Sequence, residues 1–355
     1  MPAALVANVC VILVFAVGAA LFGIDPDAYY LNAQEDEPLE WATFWAFLLA
    51  AGFNAHNALA DRRRRGGIPW FHVGLAAFCL LVALEEISWG QRVLGYRAPE
   101  FFLERNYQQE FNLHNIVDGG LRRTLMLLIL AGYGVLAPLA SAPRTVRAWA
   151  DRLRIVTPPP ALVPTFATAA VIYAWYPADL TGEWVECAMG LAFLYAALLD
   201  RASPARLTAG RAAAAALAVA GLGIVTTGAL DGIGTRDADR LAAARREIAA
   251  LASDFSGPRL HTRCGIHKRL YTFMVEYGQP YLRAGEFARL AASTGAEERA
   301  TYLLDPWNSP YWIRHKCEGG RVSLFVYSFG PNRQRDSSEW ELGGDDIGAN
   351  LQPRR

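Results

Sequence analysis

The chain has 355 residues, 53% of them hydrophobic, and its 34 basic side chains balance 34 acidic ones. A mean hydropathy of +0.14, with the apolar residues gathered in blocks, sets it apart from an ordinary soluble protein. The formal net charge of zero provides no general attraction to nucleic acid, and no nucleic-acid partner is expected.

A helix needs about 20 apolar residues to cross the hydrocarbon core of a membrane. Seven segments are read as spans: residues 4–24, 41–59, 70–89, 121–140, 161–176, 183–199 and 207–230. The first lacks the basic leader of a secretory signal and is read as an anchor; cleavage there would leave six spans. Arginines cluster after the second span (Arg62, Arg63, Arg64, Arg65), after the fourth (Arg144, Arg147, Arg152, Arg154) and after the sixth (Arg201, Arg206, Arg211). With seven spans all three loops fall on one side, which the positive-inside rule assigns to the cytoplasm. The amino terminus is then cytoplasmic and the carboxyl tail lies outside. Trp41, Trp70, Trp89 and Trp184 sit at span ends, as interfacial aromatics do. The expected organisation is a six-span membrane domain over 1–206, then a seventh span leading into an outer domain over 207–355, soluble from 232.

In the tail, Leu241, Ala244, Ile248, Leu251 and Phe255 recur at helical spacing, and Ile266, Leu270, Phe273, Met274 and Tyr277 form a second such stripe. A short third helix is expected over 286–292. The alternation in Arg321-Val-Ser-Leu-Phe-Val-Tyr-Ser predicts a half-buried strand, with a partner strand at Trp312 and Ile313 and a hairpin turn at Glu318-Gly319-Gly320. The fold class is therefore a polytopic α-helical bundle plus an outer α+β domain with a small antiparallel sheet. Cys10, Cys79 and Cys187 lie in apolar segments, where cysteine acts as a small hydrophobe. Cys264 and Cys317 would face an oxidising compartment, so a disulfide between them is expected, two buried free thiols being the alternative.

The tail motifs Leu304-Asp-Pro-Trp-Asn-Ser-Pro-Tyr-Trp, Gly319-Gly320, Phe325-Val-Tyr-Ser-Phe-Gly and Asp345-Asp-Ile-Gly follow one another at short spacings. Together they resemble the carboxyl end of the major pseudopilin of type II secretion systems, protein G. The resemblance covers roughly 207–351. It implies a structural calcium site drawn from the Phe329 carbonyl, Asn332, Asp336, Asp345 and Asp346, hard oxygen donors of the kind calcium takes. Asn332 stands where the family usually has an aspartate, and Arg333 and Arg335 lie in the same loop. A solvated acidic turn is the alternative. Residues before the seventh span, Leu207-Thr-Ala-Gly-Arg-Ala-Ala, lack the pseudopilin processing site, so the resemblance implies a pilin-type fold tethered permanently to a membrane domain. It also implies a bacterial inner-membrane location with the tail in the periplasm, and a partner among envelope or secretion-type proteins besides membrane lipid.

Ionisable residues at membrane depth are costly and are functional candidates by default. Glu85 and Glu86, near the outer end of the third span, are such a pair, and His114 in the following loop could join them as general acid and base or as a metal ligand. Helical spacing would put Glu85, Trp89 and Arg92 on one face, so a Glu85–Arg92 ion pair is the plain structural reading. The stretch from Glu85-Glu-Ile-Ser-Trp-Gly-Gln-Arg to Asn112-Leu-His-Asn resembles a recurring bacterial membrane-protein pattern to which no activity attaches. Glu35-Asp36-Glu37 is reminiscent of the acidic pair of polyprenyl-dependent glycosyltransferases. His56 and His72 fall toward the opposite membrane side from His114, so no shared zinc site is expected. The leading functional expectation is a non-enzymatic envelope protein with an outer interaction domain. The alternative is a membrane enzyme acting on a lipid or lipid-linked substrate at the outer leaflet.

Overall fold

A computed structural model describes residues 2–34, 37–106, 109–203, 207–231, 238–255, 263–279 and 284–351. In chain order its helices are α1 (Pro2–Ile24), α2 (Pro26–Asn32), α3 (Pro38–Arg65), α4 (Trp70–Glu86), α5 (Gln91–Leu94), α6 (Glu100–Arg105), α7 (Gly119–Leu127), α8 (Ala137–Ala140), α9 (Arg144–Arg152), α10 (Val163–Trp175), α11 (Thr181–Leu198), α12 (Ala209–Asp231), α13 (Ala238–Phe255), α14 (Leu270–Glu276), α15 (Glu286–Thr294) and α16 (Glu297–Thr301). A π-helical stretch, Leu128–Leu136, joins α7 to α8. The strands are β1 (Ile266–Arg269), β2 (Trp312–Glu318), β3 (Arg321–Ser328) and β4 (Ile347–Asn350).

The chain divides into two compact units. The helical unit comprises Met1–Trp89 and Val117–Thr227; the α+β unit comprises Gly90–Ile116 and Gly228–Arg355.

In the helical unit helices cover most of each expected span. Among the described residues three helices are long and apolar enough to cross a membrane: Ala3–Ile24, Gly119–Ala140 and Ala209–Leu230. Their large side chains point outward, as at Leu13, Val17, Leu128, Leu217 and Ile224. Pro160–Trp175 is apolar but shorter. Helix α3 runs 28 residues, or about 42 Å at the usual rise, and carries Glu40 in its first turn and Arg62 to Arg65 in its last. That charge placement complements the helix dipole. Helix α11 is the centre of the bundle. Apolar side chains surround it on every face, from Val185 and Met189 to Phe193 and Leu194, as expected of a helix packed on all sides. Small residues allow the backbones to approach: a Cβ on Gly190 would lie 2.9 Å from Ala46 Cβ, and one on Gly134 only 2.2 Å from the Phe166 ring. Such close contacts are the usual means of helix association in lipid. Asn57 ties α3 to α11 by donating to the Ala197 carbonyl at 2.8 Å, so its role is packing.

In the α+β unit a four-stranded antiparallel sheet has the order β1-β2-β3-β4. The expected hairpin is present: Glu318 pairs with Arg321 across Gly319 and Gly320, whose φ values of 56° and 81° are those a two-residue turn of this hand requires. Helix α13 packs its Ile248, Leu251 and Phe255 with Phe273, Tyr311, Ile313 and Val326 in one core.

Three expectations are corrected. Ile266 does not belong to a helical stripe: Ile266–Arg269 is a strand paired with Trp312–His315, and the helix begins only at Leu270. Strand pairing overrides periodicity there because the apolar run before Leu270 is a single residue. The helix bearing Glu85 ends at Glu86, and Ser88 and Trp89 take φ values of 46° and 56°, so Glu85, Trp89 and Arg92 do not share a helical face. Third, the α+β unit is not confined to the tail, since the loop 90–116 folds with it. Ala98 and Leu103 pack with Tyr302 and Leu304, Gln109 donates to the Tyr302 carbonyl at 3.1 Å, and Asn308 donates to the Gly95 carbonyl at 2.9 Å.

Candidate functional site

The acidic loop is built by the sheet. Strands β3 and β4 are neighbours, and Ser328 pairs with Ile347, so the loop 329–346 leaves and re-enters at one point of the sheet edge. That closure brings Asp345 and Asp346 back to Asn332 and Asp336. The carboxylates of Asp336, Asp345 and Asp346 lie within 4.8 Å of one another. Backbone amides hold them in place: Asn332 N donates to Asp345 at 3.0 Å, Ser337 N to Asp346 at 2.9 Å and Asp345 N to Asp336 at 3.1 Å. Asp345 Oδ1 and Asp346 Oδ1 are buried and accept no hydrogen bond. Burial first, and neighbouring carboxylates second, push both groups up to about 7. Asn332 reaches the cluster with its amide nitrogen, which donates to Asp336 at 3.2 Å, while its oxygen accepts from Gln334 N at 2.8 Å. Phe329 is buried and stacks on Trp312, one residue before Gly330. A Cβ at Gly330 would lie 2.3 Å from the Asp345 carbonyl oxygen, so only glycine permits this approach. Arg335 donates to the Ser337 carbonyl at 2.8 Å, and the Arg333 guanidinium packs against Gly95.

Three carboxylates with two orphaned buried oxygens fit a hard cation: the donor set is all oxygen, and a divalent ion would compensate charge that burial otherwise disfavours. Asp336, Asp345 and Asp346 are the residues that would hold it.

The Asp-Pro-Trp motif proves to be a structural part of the same region. Asp305 is fully buried and accepts from Trp307 N and Ser309 N, each at 2.9 Å, and from Ser328 Oγ at 2.5 Å. Ser328 Oγ accepts from Gly330 N at 3.0 Å, so Asp305 anchors the first residues of the acidic loop. Burial pushes Asp305 up to about 6 against those hydrogen bonds. Within the sheet, His267 pairs with Tyr327 OH at 2.9 Å, and Arg314 donates to the same hydroxyl at 2.8 Å.

Cys264 and Cys317 form the expected disulfide, which joins the entry to β1 with β2. His315 Nε2 lies 3.4 Å from Cys317 Sγ, but bonded sulfurs offer no thiolate to a metal.

Glu85 and Glu86 belong to the helical unit, whereas His114 belongs to the α+β unit. Both glutamates are buried, and Glu85 Oε1 accepts from Trp89 Nε1 at 2.7 Å. Glu86 has Glu186, Glu183 and Glu85 as electrostatic neighbours. Glu183 and Glu186 escaped the sequence reading as members of this cluster, although two acids three residues apart at the start of an apolar helix were a visible signal. Glu35, Asp36, His261 and the Arg92 side chain lie outside the described residues. His72 is buried beside Asp200, and His56 is exposed. Comparison with protein-family models, curated proteins and solved structures gave no match.

Proposed function

We propose that the chain is a seven-span inner-membrane protein of the bacterial envelope, with a cytoplasmic amino terminus and a periplasmic pseudopilin-like module stabilised by calcium. The module would act as an interaction surface for an envelope or secretion-type protein. The observation that carries this reading is the convergence of Asp336, Asp345 and Asp346 with two buried carboxylate oxygens left without partners. A helix packed on an antiparallel sheet, whose last two strands embrace that loop, supports the likeness to pseudopilins. Calcium would satisfy the orphaned oxygens in the native state alone and so raise stability. In a thermal melt of the full chain in detergent, calcium should raise the midpoint, a chelator should reverse the shift, and Asp345→Ala should abolish most of it. A melt indifferent to calcium would remove the cation from the proposal.

The second reading is a membrane enzyme working on a lipid or lipid-linked substrate. Its support is the burial of Glu86 among Glu85, Glu183 and Glu186. It predicts that Glu86→Gln abolishes complementation of a deletion strain at unchanged protein abundance. Loss of the protein itself would mean that Glu86 is structural.

A further inference from the structure

The helical unit contains a cavity of about 400 Å³ that neither reading uses. The end of α3, the helix α9, the segment 153–160 and the residues following α11 enclose it. Five arginines line it: Arg64, Arg65, Arg147, Arg154 and Arg201. Asp61 is ion-paired with two of them, Arg65 Nε at 3.1 Å and Arg154 Nη1 at 3.7 Å, and Asp151 and Asp200 line the cavity as well, so five arginines face three carboxylates. The other three arginines have no carboxylate partner among the described residues. Arg64 donates to the Arg201 carbonyl at 3.2 Å, and Arg147 donates to the Ser141 and Ala142 carbonyls at 3.3 and 3.2 Å. These acceptors are neutral, so none of the three is in an ion pair, and the cavity lining keeps an excess of positive charge. Arg154 Nη1 makes no hydrogen bond beyond its ion pair with Asp61, and His72, only 5% exposed, has its Nε2 3.6 Å from the Asp200 carboxylate. Ile155, Val156 and Leu199 give the same cavity an apolar wall.

The surroundings place this cavity at an interfacial depth. Trp70 is half exposed and donates to the Leu153 carbonyl at 2.9 Å, and α9 exposes Trp149 and Val146. Exposed tryptophans beside a short basic helix mark the headgroup level of a bilayer. Guanidinium forks match phosphate oxygens, and basic pockets among membrane helices are recognised sites for anionic headgroups.

We propose that this cavity binds a phosphate group, with its apolar wall taking the adjoining part of a phospholipid. The positive-inside bias by itself would account for arginines on this face, but it does not require three of them to converge unpaired on one cavity. The test is a thermal melt of the full chain in neutral detergent with added phosphatidylglycerol, phosphatidylcholine or inorganic phosphate. Phosphatidylglycerol should raise the midpoint of the wild type, and phosphatidylcholine should do so at least tenfold less effectively. The Arg147→Gln/Arg201→Gln pair should weaken the phosphatidylglycerol response at least tenfold. Arg152→Gln, which removes a charge from the same helix but not from the cavity, should leave it intact. Should the double variant fail to fold, Arg201→Gln alone reads the same prediction, because its side chain has no partner to lose among the described residues. A response to millimolar inorganic phosphate alone would support phosphate recognition and assign the ligand to a soluble compound. Equal responses to the two lipids with none to phosphate, or equal losses in Arg152→Gln and the cavity variants, would overturn the proposal.

Discussion

His267 shows how one side chain sets a pH response. It is buried, and that burial, followed by the charges of Arg314, Arg335 and Arg269, holds its imidazole well below the ordinary histidine range. The native state therefore keeps it neutral, whereas the unfolded chain protonates it below a pH of about 6.5. Between the depressed native value and that point the unfolded state binds more protons, so this residue removes stability as pH falls. Asp305 acts with the opposite sign. Its native value of about 6 lies above that of the unfolded chain, so the native state gains protons first and gains stability on acidification. Substitution separates the two. His267→Gln should gain in melting midpoint relative to the wild type as pH is lowered from 7 to 5, and Asp305→Asn should lose over the same range. Asp345 and Asp346 are common to all three proteins and cancel in the differences. Midpoints of the full chain measured across that range check both signs, and a gap that stays constant with pH would show that neither group titrates as described.

At the level of elements, the sequence was most informative where one period ran unbroken. The stripe from Leu241 to Phe255 is helix α13, and the alternation from Arg321 to Ser328 is β3, with its glycine turn in place. It was least informative where a neighbour decides. Strand β1 is four residues long and exists because β2 is there to pair with it. Strand β4 was read only as the end of an acidic loop, since Ile347-Gly-Ala-Asn has no alternation to show; its pairing with β3 is what closes the cluster. Helix α11 was read only as a span over 183–199, and its position at the bundle centre follows from contacts no local pattern carries. The acidic loop itself was legible in its residue types, Asp336, Asp345 and Asp346. That two of its oxygens would be buried without partners was not, because burial comes from the strands on either side. The cysteine pairing followed from compartment alone. Over a separation of 53 residues it is worth about 4 kcal/mol in the chain-entropy model, enough to pin the edge strand β1 to β2.

For the whole molecule, the consequential departure from a simple membrane-then-tail order is the loop 90–116. It lies between the third and fourth expected spans, yet it is part of the core of the α+β unit. Arg269 illustrates the dependence. It is 1% exposed, stacks over the Trp312 ring at 4.5 Å, and has the Glu110 carboxylate 3.7 Å away. Removing a buried counter-charge costs on the order of 3 kcal/mol, a large part of a domain's total stability. Loss of the loop would also expose the faces of Tyr302 and Leu304 that Ala98 and Leu103 cover. Residues 232–355 produced alone should therefore aggregate or melt far below the same residues fused through a flexible glycine-serine linker to residues 90–116. Within the fusion, Glu110→Ala should give back much of the gain. Size-exclusion profiles and melting midpoints of the three proteins measure this directly. A tail that is monodisperse and equally stable without the loop would show that the loop merely rests on a domain already complete, and that the tail evolved as an independent module joined to the membrane chain.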